Sequence, residues 1–306
     1  MANELIFIAG STGFIGSHIV RRLSGSERKV RCLVRNEDSA QVVRSLGHDA
    51  VIGDITDPAS LKGSLANVET VIHLVGIIEE RGGLTFEKVH VEGTENLINE
   101  SKSSGVARMF YQSALGAGPD TGSRYLETKF NAETLISGSG IPYLIFRPSL
   151  ILGEGDGFTK KMKQLVSAGP VVPIPGDGMA KLQPLYIDDW VDCFMRSLET
   201  NMFSNRIYDI GGPDHITFNE ILSEIMKVLK IRKRTVHIPV SALKMTVPFM
   251  GIAGTIAKMI GKEIPSVTGE LLSLLNKDNV CEKDSVFRFF GFEPIGLPEA
   301  LNKYLA

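Results

Sequence analysis

Cysteine is scarce in this sequence, and the three that occur, Cys32, Cys193 and Cys281, are odd in number and far apart. No C-x-x-C pair and no paired-histidine spacing occurs, so the sequence favours neither a disulfide framework nor a zinc site. We therefore expect a protein of the reducing cytoplasm that has no metal centre.

A strong excess of charge of either sign is also missing. The formal net charge is -2, which argues against a surface that binds nucleic acid. The basic run "RKR" at 232–234 is short and is typical of a solvated helix end. We expect a small-molecule substrate and no nucleic-acid partner.

Long apolar runs are absent as well. The beginning "MANELIFIAG" lacks the basic start and long apolar core of a signal peptide, and it predicts a first β-strand. The most apolar stretch, "VPFMGIAGTIAKMIG" at 247–261, is interrupted by Lys258 and is shorter than the about 20 residues that cross a bilayer. Segment 239–261 is expected to be either a core helix of a second domain or an element that docks to a partner or a membrane surface.

The first half of the chain alternates between short apolar runs and segments of helical periodicity. Strands are expected at "ELIFIAG", "KVRCLVR", "DAVIGD", "VETVIHLVG", "RMFYQSA" and "YLIFRPSLI". Helices are expected over 14–24, 39–47, 58–66, 85–104 and 125–138. Strands that are apolar on both faces belong in a parallel sheet covered by helices. The pattern predicts an α/β fold with a doubly wound parallel sheet of the Rossmann type.

The alternation of predicted strands and helices ends after residue 152, where glycine and proline become frequent. The α/β pattern returns at 182–212, and helices dominate afterwards, beginning with a capping-box signal at Thr217 and Glu220. We predict a dinucleotide-binding domain over 1–152 plus 182–212. A smaller, mostly helical substrate or partner domain is expected over 153–181 plus 213–306.

A glycine-rich turn, "AGSTGFIGSHIV", joins the first strand to the first helix. Its spacing is G-x-x-G-x-x-G, which gives a tight turn, backbone amides near a pyrophosphate and a helix N-terminus that favours negative charge. The alternative is an ordinary glycine-rich turn, which the position at the first strand–helix junction makes weak. The residues expected to contact the cofactor here are Gly10, Thr12, Gly13, Phe14, Ile15 and Gly16.

The end of the second strand indicates which cofactor is bound. Sites for NAD(H) place an acidic residue there, but this strand ends at Arg35, and Arg31 points the same way. A guanidinium can bind a 2'-phosphate, so NADP(H) is favoured over NAD(H). The alternative is that Arg35 is an ordinary surface residue and that Glu37 or Asp38 takes the acidic role.

Asp54 lies just after the third strand, in "VIGDITD". At the carboxyl edge of such a sheet it could contact an adenine ring on which Ile55 packs. It could equally cap the helix that begins near Pro58.

Further along, Tyr125 and Lys129 stand four residues apart, which places them on one face of a helix. This spacing is weak evidence alone, but it occurs in order with "GSTGFIG", "GDITD", "HLVG", "VEGTENLI", "YQSALGA", "FRPSLILG" and "YIDDWVD". The set resembles the extended and atypical short-chain dehydrogenase/reductases, the NAD-dependent epimerase/dehydratase family. The C-terminal "IPSVTGELLSLLNKDNV" and "FGFEPIGLPEALNKYL" are similar to bacterial relatives of the 39 kDa accessory subunit of respiratory complex I.

The resemblance implies a catalytic set of Ser113, Tyr125 and Lys129. Lys129 together with the oxidised nicotinamide would favour the phenolate of Tyr125, whose unperturbed pKa is about 10, and Lys129 would also hold the nicotinamide ribose. Ser113 would hydrogen-bond the substrate oxygen. Residues implied to line the cofactor are Leu74, Val75, Gly76, Tyr125, Lys129 and Pro148.

Two functions follow from this resemblance. The first is an NADP(H)-dependent oxidoreductase or epimerase that acts on a carbonyl or secondary alcohol, with a hydrophobic substrate as one option. The alternative is a non-catalytic NADP(H)-binding accessory or sensor protein that docks to a respiratory or membrane-associated assembly.

The sequence departs from the family pattern at three places. His90 replaces an asparagine in "HVEGT", where it could join a proton relay or pack within a helix. Only eleven residues separate Ser113 from Tyr125, which disfavours a nucleotide-sugar epimerase. Tyr186 stands where many relatives carry histidine.

Overall fold

The computed structural model describes residues 4–239, 241–242, 270, 274 and 277–306. The chain divides into two compact units. The first comprises Met1–Pro148 and Val191–Asp209, and the second comprises Ser149–Trp190 and Ile210–Ala306. The domain limits expected from the sequence stay predictions.

A seven-stranded sheet forms the centre of the first unit. Its strands are β1 (Leu5–Ala9), β2 (Lys29–Val34), β3 (Asp49–Ile52), β4 (Thr70–His73), β5 (Arg108–Gln112), β6 (Tyr143–Pro148) and β11 (Arg206–Ile210). They lie in the order β11-β6-β5-β4-β1-β2-β3, and the pairs among β1–β6 are parallel. The predicted α/β sheet is confirmed. The strand order reverses between β1 and β4, which is where open α/β sheets bind ligands beyond the carboxyl ends of their strands.

Helices connect these strands. They are α1 (Phe14–Leu23), α2 (Glu37–Ser45), α3 (Pro58–Leu61), α4 (Gly93–Ser103), α5 (Arg124–Ser137) and α7 (Ile187–Glu199). The helix predicted over 58–66 ends at Leu61, soon before Gly63 adopts a φ of 75°. The helix predicted over 85–104 is divided, because a π-helical segment, Glu87–Glu92, precedes α4.

The core of the first unit explains why its strands are apolar on the face that packs against α4 and α5. Phe7, Met109 and Ile145 from three strands are fully buried, and Leu97 of α4 and Ile136 of α5 pack in the same cluster. Burying a side chain of this size contributes about 1.5–3 kcal/mol. The helical periodicity of α4 and α5 therefore follows from the positions that face this core.

The second unit combines helices with pairs of short strands. Its helices within the described residues are α6 (Gly157–Ser167), α8 (Phe218–Val228), α9 (Ser285–Phe290) and α10 (Leu297–Leu305). Its strands are β7 (Ile151–Leu152), β8 (Val171–Pro175), β9 (Lys181–Leu182), β10 (Leu185–Tyr186), β12 (Ile216–Thr217) and β13 (Arg234–Ile238). They pair as β7–β10, β8–β13 and β9–β12. Helix α8 begins with the predicted capping box of Thr217 and Glu220.

The apolar segment 239–261 lies outside the described residues apart from 239 and 241–242. Among the helices that the structure does describe, none is both long enough and apolar enough to cross a bilayer.

A buried ion pair joins three strands at the amino edge of the central sheet. The guanidinium of Arg108 donates to Glu4 at 2.6 Å and to Thr70 Oγ1 at 2.7 Å. Thr70 also donates to Glu4. Burial works to raise the pKa of Glu4, but the hydrogen bonds from Thr70 and Arg108 and the charges of Arg108 and Arg28 bring it below its usual value. The carboxylate is therefore held in its charged form.

We predict that Arg108→Met lowers the free energy of unfolding by about 3 kcal/mol, because it leaves the Glu4 carboxylate buried without its main partner. Arg44→Met is the matched control. It removes an ion pair with Glu37 whose side chains are 48% and 53% exposed, and it should cost at most about 1 kcal/mol. Urea unfolding of both variants measures the difference. Equal losses of unfolding free energy would show that leaving Glu4 without Arg108 costs no more than breaking a surface ion pair.

Candidate cofactor and active site

A cavity lies at the carboxyl ends of β1 to β4, on both sides of the reversal in strand order. Most of the residues predicted to bind a cofactor line it, namely Gly10, Thr12, Gly13, Arg35, Asp54, Ile55, Leu74, Val75 and Gly76. The remaining predicted residues, Phe14, Ile15, Gly16, Tyr125, Lys129 and Pro148, are not part of this lining.

The turn between β1 and α1 depends on two glycines. Gly10 has a φ of 92°, and a Cβ there would lie 3.0 Å from backbone atoms of Leu74 and Val75. A Cβ on Gly16 would lie 2.1 Å from the carbonyl oxygen of Gly10. Phe14, Ile15 and Gly16 thus form the first turn of α1 and hold it against the strand.

The N-terminus of α1 faces the cavity through Gly13. No side chain in the described part of the chain caps this helix start, and the first turn carries no acidic residue. Its amide groups and the partial positive charge of the helix end are therefore open to an anion, as a pyrophosphate site requires.

Arg35 follows β2 and is exposed at the cavity. Arg31, which was expected to point the same way, instead donates to Asp49 at 2.8 Å and to the carbonyls of Ser64 and Ala66 at 3.0 Å. That expectation was wrong, because the long Arg31 side chain finds these three acceptors beside β2 and its guanidinium is held there. Only Arg35 of the two is placed to meet a cofactor.

The acidic alternatives to Arg35 lie elsewhere. Glu37 is in the first turn of α2 and forms an ion pair with Arg44 at 2.5 Å. Neither Glu37 nor Asp38 lines the cavity. Since Asn36 caps α2 by accepting from the Ser39 amide at 2.9 Å, this turn is held in a helical arrangement.

Asp54 lines the cavity beyond β3. Its carboxylate accepts from the amide of Thr56 at 2.8 Å and from the Thr56 hydroxyl at 2.9 Å. The residue that caps α3 is Asp57, which accepts from the Ala59 amide at 3.1 Å. The capping alternative for Asp54 is thus excluded, and Ile55 beside it is buried.

The predicted catalytic residues lie around the end of β5. Ser113 directly follows this strand and is buried, and its hydroxyl has no hydrogen-bond partner among the described residues. Lys129, on α5, donates to the carbonyl of Gln112 at 2.6 Å and lies 4.5 Å above the ring of Tyr111. Tyr125 is one helical turn earlier and half-buried.

Lys129 lies directly behind the wall of the cofactor cavity. A Cβ on Gly76, in the cavity wall, would lie only 3.4 Å from Lys129 Nζ. Pro148 ends β6, where its carbonyl accepts from the Leu115 amide at 2.9 Å and extends the strand pairing beyond Ser113. The ends of β4, β5 and β6 thereby bring Gly76, Ser113 and Lys129 into one region.

Burial controls the ionisation of Lys129 and Tyr125. It lowers the pKa of Lys129 to about 7, against the opposing charge of Glu133. It raises the pKa of Tyr125 to about 12. From the sequence, Lys129 together with the oxidised nicotinamide is expected to favour the phenolate of Tyr125, and this stays a prediction. Burial acts in the opposite direction, because removal from water disfavours the charged forms of both groups.

His90 lies within the π-helical segment and is fully buried. Its Nε2 lies 3.0 Å from the amide nitrogen of Ile77, and its Nδ1 lies 2.9 Å from Thr128 Oγ1. Burial, followed by the charge of Lys129, lowers the pKa of His90 to about 2. The ring is therefore neutral at any ordinary pH.

Sequence reasoning missed several residues of the cavity wall, namely Leu33, Val34, Gly53, Thr56, Ile77, Leu84 and Val89. Leu33 and Val34 end β2 and Gly53 directly follows β3, so these three could have been found from the strand ends, whereas Thr56 and Ile77 lie further along the loops. Leu84 and Val89 could not be found in this way, since they come from the turn and π-helical segment between β4 and α4. Within the described residues, no group of three or more histidine, cysteine or acidic side chains is arranged to hold a metal ion.

Comparison with known proteins gives a consistent set of relatives. Residues 6–211 match the family described as the NAD dependent epimerase/dehydratase family. The chain is 27% identical over 238 residues to ceramide reductase of Caulobacter vibrioides, covering 78% of this chain and 74% of that protein. It is 28% identical over 239 residues to the mitochondrial NADH dehydrogenase (ubiquinone) 1 alpha subcomplex subunit 9 of Arabidopsis thaliana. That match covers 76% of this chain but only 60% of the plant protein's length.

A similar solved structure is that of a nucleoside-diphosphate-sugar epimerase from Staphylococcus aureus. Its TM-score is 0.73 at 18% identity, over 97% of this chain and 99% of that one. At this identity the likeness establishes the shared fold alone.

The pKa of Lys129 generates a prediction about stability. The unfolded chain binds a proton at this lysine up to about pH 10, near the unperturbed pKa, whereas the folded chain releases it near pH 7. Between these values the unfolded state holds more protons, so the stability of the wild type rises with pH. We expect Lys129→Met to be more stable than the wild type at pH 6 and to lose this advantage by pH 10. Urea unfolding at both pH values tests this, and a difference that does not depend on pH would contradict it.

Proposed function

Because the chain belongs to the NAD dependent epimerase/dehydratase family, we propose that it binds NADP(H) and acts as an oxidoreductase or epimerase on a carbonyl or secondary alcohol. The observation that carries this proposal is the position of Lys129. Its buried ammonium group lies beside Gly76 of the cofactor cavity and beside the peptide that precedes Ser113. Burial of a lysine that forms no ion pair with any described residue costs stability, and groups of this kind concentrate at functional sites.

The residues around the cavity suit a dinucleotide. The uncapped start of α1 at Gly13 would bind the pyrophosphate, and Asp54 with Ile55 would contact the adenine ring. Arg35 forms no hydrogen bond or ion pair with any residue that the structure describes, so its guanidinium is available to a 2'-phosphate. This supports NADP(H) rather than NAD(H).

The chemistry divides between the cofactor and the protein. A bound nicotinamide supplies hydride transfer. In the proposed reaction Ser113 Oγ donates a hydrogen bond to the substrate oxygen, and Tyr125 exchanges a proton with it. Burial raises the pKa of Tyr125 to about 12, so the phenol carries its proton at neutral pH, as a proton donor in carbonyl reduction must.

The substrate class follows from similarity rather than from the cavity. The similarity to a protein named ceramide reductase supports a hydrophobic carbonyl substrate for this chain. The sequence-based expectation against a nucleotide-sugar epimerase points the same way.

Tyr125→Phe tests the catalytic assignment. We expect oxidation of NADPH, assayed with a panel of hydrophobic ketones and quinones, to fall by about 100-fold or more, because the proton donor is lost. Affinity for NADPH, measured by fluorescence titration, should be kept and serves as the control. Turnover equal to that of the wild type would exclude Tyr125 from the reaction.

Arg35→Ala tests the cofactor assignment. We expect the Kd for NADPH to rise about tenfold or more and the Kd for NADH to stay unchanged, because only the contact with the 2'-phosphate is removed. Arg31→Ala is the matched control, since Arg31 is occupied by Asp49 and two carbonyls away from the cavity. If both variants change the preference equally, or if neither does, Arg35 does not select the cofactor.

A second function has its own support. The similarity to a subunit of mitochondrial NADH dehydrogenase supports a non-catalytic protein that holds NADP(H) and docks to a respiratory or membrane-associated assembly. A single experiment with NADPH distinguishes the two functions. NADPH that stays bound through gel filtration, together with no oxidation by any carbonyl in the panel, would favour the accessory function.

A further inference from the structure

His90 connects two parts of the site that are distant in sequence. One is the cavity-wall loop, which we define as Val75–Ile77 after β4, and the other is helix α5. We infer that His90 is a positioning residue that fixes the cavity-wall loop against α5 and so shapes the surface on which the nicotinamide half of the cofactor rests. This inference rests on the proposed binding of NADP(H).

The hydrogen bonds determine the tautomer of His90. An amide nitrogen can only donate, so Nε2 must accept the proton of the Ile77 amide at 3.0 Å and carries no hydrogen itself. The hydrogen of the neutral ring is therefore on Nδ1, which donates to Thr128 Oγ1 at 2.9 Å. The Thr128 hydroxyl in turn donates to the carbonyl of Arg124 at 2.9 Å. A directed chain of hydrogen bonds thus runs from the cavity-wall loop into α5.

The π-helical segment gives His90 this position. Its wider turn ends where the Gly93 amide bonds back to the carbonyl of Lys88, five residues earlier. Thr94 donates its hydroxyl hydrogen to the carbonyl of His90, which satisfies that oxygen at the change to α-helix. Segments of this kind often mark functional sites. Phe86 and Tyr125 flank the imidazole, with ring centroids 5.6 and 5.7 Å away.

The cavity-wall loop requires such a fixed point. Gly76 has no side chain to anchor it, and a Cβ there would lie 3.4 Å from Lys129 Nζ and 3.5 Å from His90 Nε2. The loop therefore passes directly over the ends of both side chains. The His90–Ile77 hydrogen bond sets the orientation of the peptide that joins Gly76 to Ile77, both of which line the cavity. A histidine that only filled space would not need directed hydrogen bonds at both ring nitrogens.

Two substitutions separate the two hydrogen bonds. In His90→Asn the amide group lies near the position of Nδ1, so the contact with Thr128 is kept and the acceptor for Ile77 is lost. In His90→Gln the amide group reaches the position of Nε2, so the acceptor for Ile77 is kept and the contact with Thr128 is lost. Comparison of the two variants distinguishes the loss of the hydrogen bond with Ile77 from the general effect of replacing the buried imidazole.

The readout compares two ligands by titration. NADPH contacts the whole cavity, whereas adenosine 2',5'-bisphosphate contains only the adenosine half and its phosphates. We expect His90→Asn to raise the Kd for NADPH about tenfold, the effect of one lost hydrogen bond, and to leave the Kd for the bisphosphate unchanged. We expect His90→Gln to bind both ligands as the wild type does.

The outcomes separate this inference from the proposed function. A wild type that binds neither ligand would contradict the proposed function. A wild type that binds both, with unchanged NADPH affinity in His90→Asn or equal weakening of both ligands, would overturn the positioning role alone. If His90→Asn does not fold, His90→Leu takes its place with the same expectation of a selective loss of NADPH affinity. It also removes the acceptor for the Ile77 amide, and His90→Gln remains the control for the lost contact with Thr128.

Discussion

The carbonyl oxygen of Gly10 and the Cα of Gly16 meet so closely that a methyl group at Gly16 would lie 2.1 Å from that oxygen. This contact lets α1 begin directly against the end of β1, with its first amides at the cavity. Gly10 in turn lies against Leu74 and Val75, so the turn also sets how near the end of β4 approaches. The end of the cavity at the start of α1 and the end at β4 are therefore both fixed by the backbone at Gly10. A side chain at either glycine would displace both ends together.

Charged side chains are buried at both edges of the central sheet, but their partners differ. At the amino edge, Glu4 and Arg108 are buried but paired, and Thr70 completes their hydrogen bonds. At the carboxyl edge, Lys129 is buried with a peptide carbonyl and an aromatic ring in contact with its ammonium group. In the first arrangement each buried charge has a charged partner, whereas burial in the second lowers the pKa of Lys129 and costs stability. Such a contrast is typical of proteins that give up stability at a functional site.

The sequence predicted the features that follow from short-range rules. Strands apolar on both faces, the glycine spacing of the first turn and the capping box at Thr217 each specify local geometry, and the structure has them. The features it could not predict depend on distant neighbours. Arg31 is drawn away by Asp49 and by two carbonyls from another segment, and the pKa of Tyr125 reflects how the surrounding chain removes water. The π-helical segment has no periodicity signal of its own, because one extra residue per turn only shifts the phase of a helical pattern.

Arg35 illustrates how such a site can change in evolution. It stands at the exposed end of β2 and touches the fold through no hydrogen bond or ion pair that the structure describes. Replacing it would alter the charge presented to a ligand while leaving the sheet and its core intact. Lys129 and His90 are the opposite case, since each is tied to backbone atoms of neighbouring elements. A single substitution at Arg35 can therefore change the charge that the cavity presents at little cost in stability, whereas a substitution at Lys129 or His90 also disturbs the backbone around the cavity.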